Sequence, residues 1–141
     1  MSDDPYDLER FVEAQEPVIG RVRAELEAGR KTSHWMWFVF PQIEGLGFSP
    51  MAVRYAISGP DEARAYLAHP VLGPRLVELT RTVCRHAGKT ALEILGAPDD
   101  MKFRSCLTLF AAVADDPAPF REALRLFYDG EDDPHTLARL G

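Results

Sequence analysis

The sequence predicts an all-α fold: one compact multi-helix domain spanning residues 1–141, with about seven to eight helices. Three observations predict it. Apolar residues recur at helical spacing almost throughout. Helix start and stop signals punctuate the chain at short, regular intervals. No two segments make a convincing pair of strands, so a lone strand would leave its backbone groups unpaired. With 46% hydrophobic and 27% charged residues, the composition is that of a chain able to bury a core.

The elements follow in order. Leu8, Phe11, Val12 and Gln15 form one helical face, with Asp4 before Pro5 as a start signal and Asp7 and Glu9 expected in the first turn. Pro17 either kinks this helix or opens a second one, which runs to Ala28 and stops at Gly29. The next segment, Ser33 to Gln42 (SHWMWFVFPQ), holds both tryptophans; its local propensity favours a strand. With no partner strand available it reads as a short buried helix, capped by Ser33 and ended by Pro41. Ser49-Pro50 is a cap followed by proline at the first helical position, and Ser58-Gly59-Pro60 repeats the device before a helix through Leu67.

Residues 71–87 form the longest amphipathic stretch, with Leu72, Leu76, Leu79 and Val83 as its stripe. Thr90-Ala91-Leu92-Glu93 has the form of a capping box for a short helix ending at Gly96. Helices over 99–114 and 117–128 follow, and Thr136 to Leu140 makes a last turn.

Charge and motif content exclude several function classes. The net charge of −6 argues against non-specific binding to nucleic acid or to an anionic membrane. No apolar run approaches the roughly 18 residues needed to span a bilayer, and the acidic N-terminus is unlike a secretory signal. Two cysteines, Cys84 and Cys106, fit a reducing compartment, so the expected location is cytoplasmic. No Cys/His cluster has metal-ligand spacing, and no phosphate loop, dinucleotide fingerprint or nucleophile elbow is present. Neither a metal nor a cofactor is therefore expected. The ends of the chain are acidic, while residues 30–110 carry ten basic and seven acidic side chains, a middle that suits a small anion.

The aromatic run is the natural place to look for a site. Core packing is one reading of it, but His34 and Gln42 place polar groups at its two ends, and a buried indole N–H needs a partner. A pocket for a planar group would use Trp35 or Trp37 to stack, with Gln15, His34 and Gln42 as hydrogen-bonding groups. His34 is the one candidate acid/base near neutral pH. Lys102, Arg104 and Ser105 lie near the start of a helix and would hold an anion. Core and pocket wall both remain open readings of the run.

The stretches LERFVEAQ, SHWMWFVFPQIEGLGFSPMAVRYAI, EARAYLAHPVLGPRL and PDDMKFRSCLTLFAAV together resemble the family called domain of unknown function 1810, from about residue 7 to 140. Some members carry the label "calpastatin-like", although calpain inhibitors of that kind are disordered repeats and this chain has no repeat. The resemblance implies a mainly α-helical fold and no established activity. FVEAQ and SPMAVR are also similar to short pieces of a superfamily that handles NAD- and ADP-ribose-type nucleotides, and no catalytic residue is carried over from it. The expectation is an uncharacterised helical protein that binds or processes a small anionic planar ligand. The alternative is a non-enzymatic interaction module or a homodimer hiding the aromatic run.

Overall fold

The computed structural model describes residues 3–141. Ten helices follow in order among them: α1 (Glu9–Gln15), α2 (Ile19–Glu27), α3 (Met36–Val39), α4 (Pro50–Arg54), α5 (Pro60–Ala68), α6 (Leu72–Cys84), α7 (Ala91–Leu95), α8 (Asp99–Val113), α9 (Ala118–Tyr128) and α10 (Pro134–Leu140). Seven of them have seven residues or more, and α3, α4 and α7 are single turns.

Capping chemistry sets several boundaries. The Asp4 carboxylate accepts from the N–H groups of Leu8 and Glu9, at 2.7 and 2.9 Å. That cap places the start of α1 at Glu9 rather than beside Pro5, and Asp7, at φ 50°, belongs to the preceding turn. At Pro17 the helix ends rather than kinks, and α2 begins two residues later at Ile19. Ser49 Oγ accepts from the N–H of Ala52, and both halves of the Thr90–Glu93 capping box form. Asp133 caps α10, which is a full helix rather than one last turn. The 43–57 region also contains one isolated parallel bridge, Ile43 to Ile57, which gives the backbone after the aromatic run a partner that the sequence did not advertise.

Helix α8 forms the centre. Every residue from Ser105 to Ala111 is buried, and α5, α7, α9 and α10 all pack on it. Its neighbours continue a chain of aromatic contacts: Phe11 meets Tyr66 edge-on at 5.1 Å, Tyr66 meets Phe110 at 5.2 Å, and Phe40 meets Phe103 at 4.8 Å. Offset and edge-on rings of this kind add about 0.5–1.5 kcal/mol per pair beyond their area. Gly73 permits the close approach of α6 to α5, because a Cβ there would collide with the Leu67 carbonyl oxygen. The aromatic run is therefore held against α8 from one side, while its far end turns outward into the 42–48 loop.

Candidate functional site

The two tryptophans have different positions. Trp35 is 1% exposed, and its indole N–H donates to Glu25 Oε1 at 3.0 Å. Glu25 also accepts from the N–H groups of Thr32 and Ser33 at 2.8 and 3.0 Å, and from the Ser33 hydroxyl. Burial alone would raise the Glu25 pKa. Those four donors, the Ser33 hydroxyl foremost, outweigh it and hold the carboxyl at about 2. Ser33 is therefore a donor to Glu25 and not the cap of α3, whose first residue is preceded by Trp35 with no side-chain cap. Lys31 completes this knot. Its ammonium donates to Ser33 O at 2.6 Å, pairs with Asp99 at 2.8 Å and lies 4.9 Å from the Trp35 ring centroid.

Trp37 is only partly buried, and its indole N–H has no acceptor among the described residues. Lys102 lies over its face with Nζ 5.4 Å from the ring centroid, and is held loosely to Asp99 at 3.8 Å. Trp37, Gln42 and Lys102 line one small cavity with Gly45, Gly47 and Tyr55. Its volume, about 10 Å3, is at the limit for a single water. The Gln42 side-chain amide also has no hydrogen bond among the described residues.

A second cavity of about 270 Å3 adjoins it, sharing Gly45, Gly47 and Ala56 and adding Glu44, Phe48, Val53 and Arg139. Phe48 is 84% exposed and Val53 63% exposed on its wall. Arg139 reaches across from α10 and donates to Gly45 O at 3.3 Å. Gly45 has φ 94°, and a Cβ there would meet the Arg139 guanidinium, so the glycine both makes the turn and lets the cation lie on the backbone. Sequence reasoning missed Phe48 and Arg139. One lies past the aromatic motif, and the other comes from a helix 94 positions away from its acceptor.

The remaining candidates are not part of this cleft. Gln15 is buried and engaged: its amide nitrogen donates to Phe38 O at 2.6 Å and to the Tyr66 hydroxyl at 3.2 Å, and its oxygen accepts from Arg75 at 3.0 Å. Arg104 spans to the carbonyls of Glu131 and Asp132 at 3.0 and 2.8 Å. Ser105 donates to Asp133, which also accepts from the Thr136 hydroxyl at 2.6 Å. Burial opposes ionisation of Asp133, and the Thr136 and Ser105 hydrogen bonds still lower its pKa below the ordinary value. Arg104 and Ser105 thus fasten the 131–136 segment to α8. His34 is exposed and lines neither cavity.

Among the described residues no group of three or more His, Cys, Asp or Glu is placed to hold a metal ion, and no helix is long and apolar enough to cross a membrane. Cys84 and Cys106 are both free thiols.

The family model described as "Protein of unknown function (DUF1810)" matches residues 5–140. The crystal structure of the conserved hypothetical protein Rv1873 from Mycobacterium tuberculosis is similar to this chain at 54% identity, with a TM-score of 0.96, over 97% of this chain and 98% of that one. No match is found among curated proteins.

Proposed function

The chain belongs to the DUF1810 family of proteins of unknown function, which carries no assigned activity, and from its side chains we propose that it binds a small planar anionic ligand in the cleft of the 42–48 loop. The observation that supports this reading most is convergence. Two aromatic faces, Trp37 and Phe48, and two cations, Lys102 and Arg139, border two adjoining cavities that share one glycine-bearing loop. A planar anion needs a ring to stack on and a cation for its charge. The outer cavity, at about 270 Å3, is near the roughly 300 Å3 lower end of small-ligand sites. Displacing Lys102 from the Trp37 face would extend the ligand inward, where the Trp37 N–H and the Gln42 amide offer hydrogen bonds.

The nucleotide class fits these requirements: a flat base for the rings and phosphates for Lys102 and Arg139. His34 lies outside the lining of the cleft, so the reading is one of binding, with no reaction step given to it.

Intrinsic fluorescence tests it. Trp35 is sealed in the core, so a ligand entering the cleft reports through Trp37. Titration with AMP, ADP, NAD and ADP-ribose should give saturable quenching that Trp37→Phe abolishes. Lys102→Ala and Arg139→Ala should each weaken it by about tenfold, the loss of one charge-assisted contact. A flat response to the whole panel at millimolar concentration, in protein with an unchanged melting curve, overturns the nucleotide reading.

One observation favours a second reading. Phe48 and Val53 expose apolar surface side by side, which suits a partner face, including that of a second copy of the chain. Concentration-dependent sedimentation that Phe48→Ser removes would select it.

A further inference from the structure

A larger cavity lies away from the cleft and shares no lining residue with it. It is a groove of about 910 Å3 between α5, α6 and the connection from α8 to α9. Its floor is apolar, built from Leu67, Val77, Val113, Ala114 and Phe120. The Gly73 contact that seats α6 against α5 forms one end of that floor. Six charged side chains line it, three of each sign: Arg64, Arg81 and Arg85 against Glu78, Asp115 and Asp116. All six are exposed.

This distribution separates two kinds of occupant. Small-molecule pockets orient their ligands with a few polar groups set among the apolar walls. No buried polar side chain lines this groove; its charges stand on the rim around an apolar strip, the arrangement of a protein-interaction surface. Several rim charges are also unspent. Arg64 pairs with Asp61 and Glu78 with Arg23, while Asp116 accepts from the N–H of Ala118. The side chains of Arg81, Arg85 and Asp115 make no hydrogen bond or ion pair among the described residues. Arg81 lies in the last turn of α6 and Arg85 just past its end, four positions on, a spacing at which like charges repel. A partner acid placed between them would relieve that repulsion.

We propose that this groove receives a short amphipathic helix of a partner protein. Its apolar face covers the strip from Leu67 to Phe120. Acidic residues on one flank meet Arg81 and Arg85, and basic residues on the other meet Asp115 and Asp116. Apolar anchors at i, i+3 or i+4 and i+7 would follow the groove, as in other helix-in-groove recognition. The two signs on the rim set the direction in which the helix lies, because the reversed helix places like charges together.

The test is selection of a displayed library of helix-templated peptides on the full chain. Selected sequences should carry that apolar spacing with acids on one flank and bases on the other. A fluorescein-labelled selected peptide should bind the double variant Arg81→Glu/Arg85→Glu at least about tenfold more weakly. The peptide with its acidic flank changed to lysine should regain affinity for that variant. Both arginines are exposed, so the variant should stay folded, with a melting temperature lowered only slightly by two acids at the C-terminal end of α6, and should keep its response in the nucleotide titration, which separates failure here from failure at the cleft. Val77→Lys, on the floor, should abolish binding. Absence of enrichment overturns the proposal, as does equal binding of selected peptides to wild type and to both variants. Binding in the groove of anilinonaphthalene sulfonate, sensitive to Val77→Lys, with no peptide selected, overturns it in favour of a small-ligand pocket.

Discussion

Glu25 offers the sharpest energetic test, because one carboxylate ties the whole aromatic segment to α2. It accepts four hydrogen bonds, from two backbone N–H groups, the Ser33 hydroxyl and the Trp35 indole. Its pKa falls from 4.5 to about 2 on folding, and its side chain lies in a residue only 8% exposed. A depressed carboxyl contributes stability that is complete above the unfolded value and is lost as pH falls through the folded one. Here the contribution is about 3 kcal/mol, and about 2 kcal/mol of it disappears between neutral pH and about pH 3. Glu25→Gln keeps the length and removes the charge. Urea unfolding of both proteins, followed by far-UV circular dichroism, should show the variant less stable at neutral pH. The gap should then narrow by about 2 kcal/mol at about pH 3, since only the wild type loses this linkage. Other carboxylates with lowered values, such as Asp133 and Glu78, are common to both proteins and cancel in the difference. A gap that stays constant over that range would refute the reasoning, because the four donors would then not be favouring the ionised form.

Two further outcomes follow from the core. Gly73→Ala should destabilise by about 2–4 kcal/mol, seen as a lower melting temperature, because its Cβ meets backbone at Leu67 and relief requires α5 and α6 to part. Both thiols should resist Ellman's reagent in the native state at about pH 8 and react promptly in urea. Burial, with Glu122 nearby, pushes Cys84 up to about 11, and burial raises Cys106 well above its ordinary value.

The helices were legible wherever the signal was local. A capping box such as Thr90 to Glu93 specifies both of its hydrogen bonds within four residues, and the 72–84 stripe repeats often enough to fix its buried face. The errors occurred where a distant group decided the outcome. Ser33 has the residue type of a cap, but Glu25, eight positions back, takes its hydroxyl before the α3 backbone can. The aromatic run shrinks to a single turn for the same reason. Its first half is pinned to α2 through Glu25, and its last part is drawn toward Ile57 by the hydrogen bonds around the isolated bridge. Neither tie leaves a periodic trace in the sequence.

The candidate site was legible in the same partial way. Polar residues on apolar faces were correctly singled out as needing partners, but the pattern does not say whether the partner is protein or ligand. Gln15 resolves to protein: its amide is spent on Phe38, Tyr66 and Arg75, holding α1, the aromatic segment and α6 together. Arg104 and Ser105 resolve the same way, toward the 131–136 segment. Trp35 and Trp37 are two residues apart, about half a helical turn, so the segment that buries one must turn the other toward its edge. Glu25 takes the first indole N–H, and no described residue takes the second. The asymmetry that makes Trp35 structural therefore leaves Trp37, with Lys102 over its face and Gln42 beside it, as the part of the motif whose polar groups the fold leaves unused.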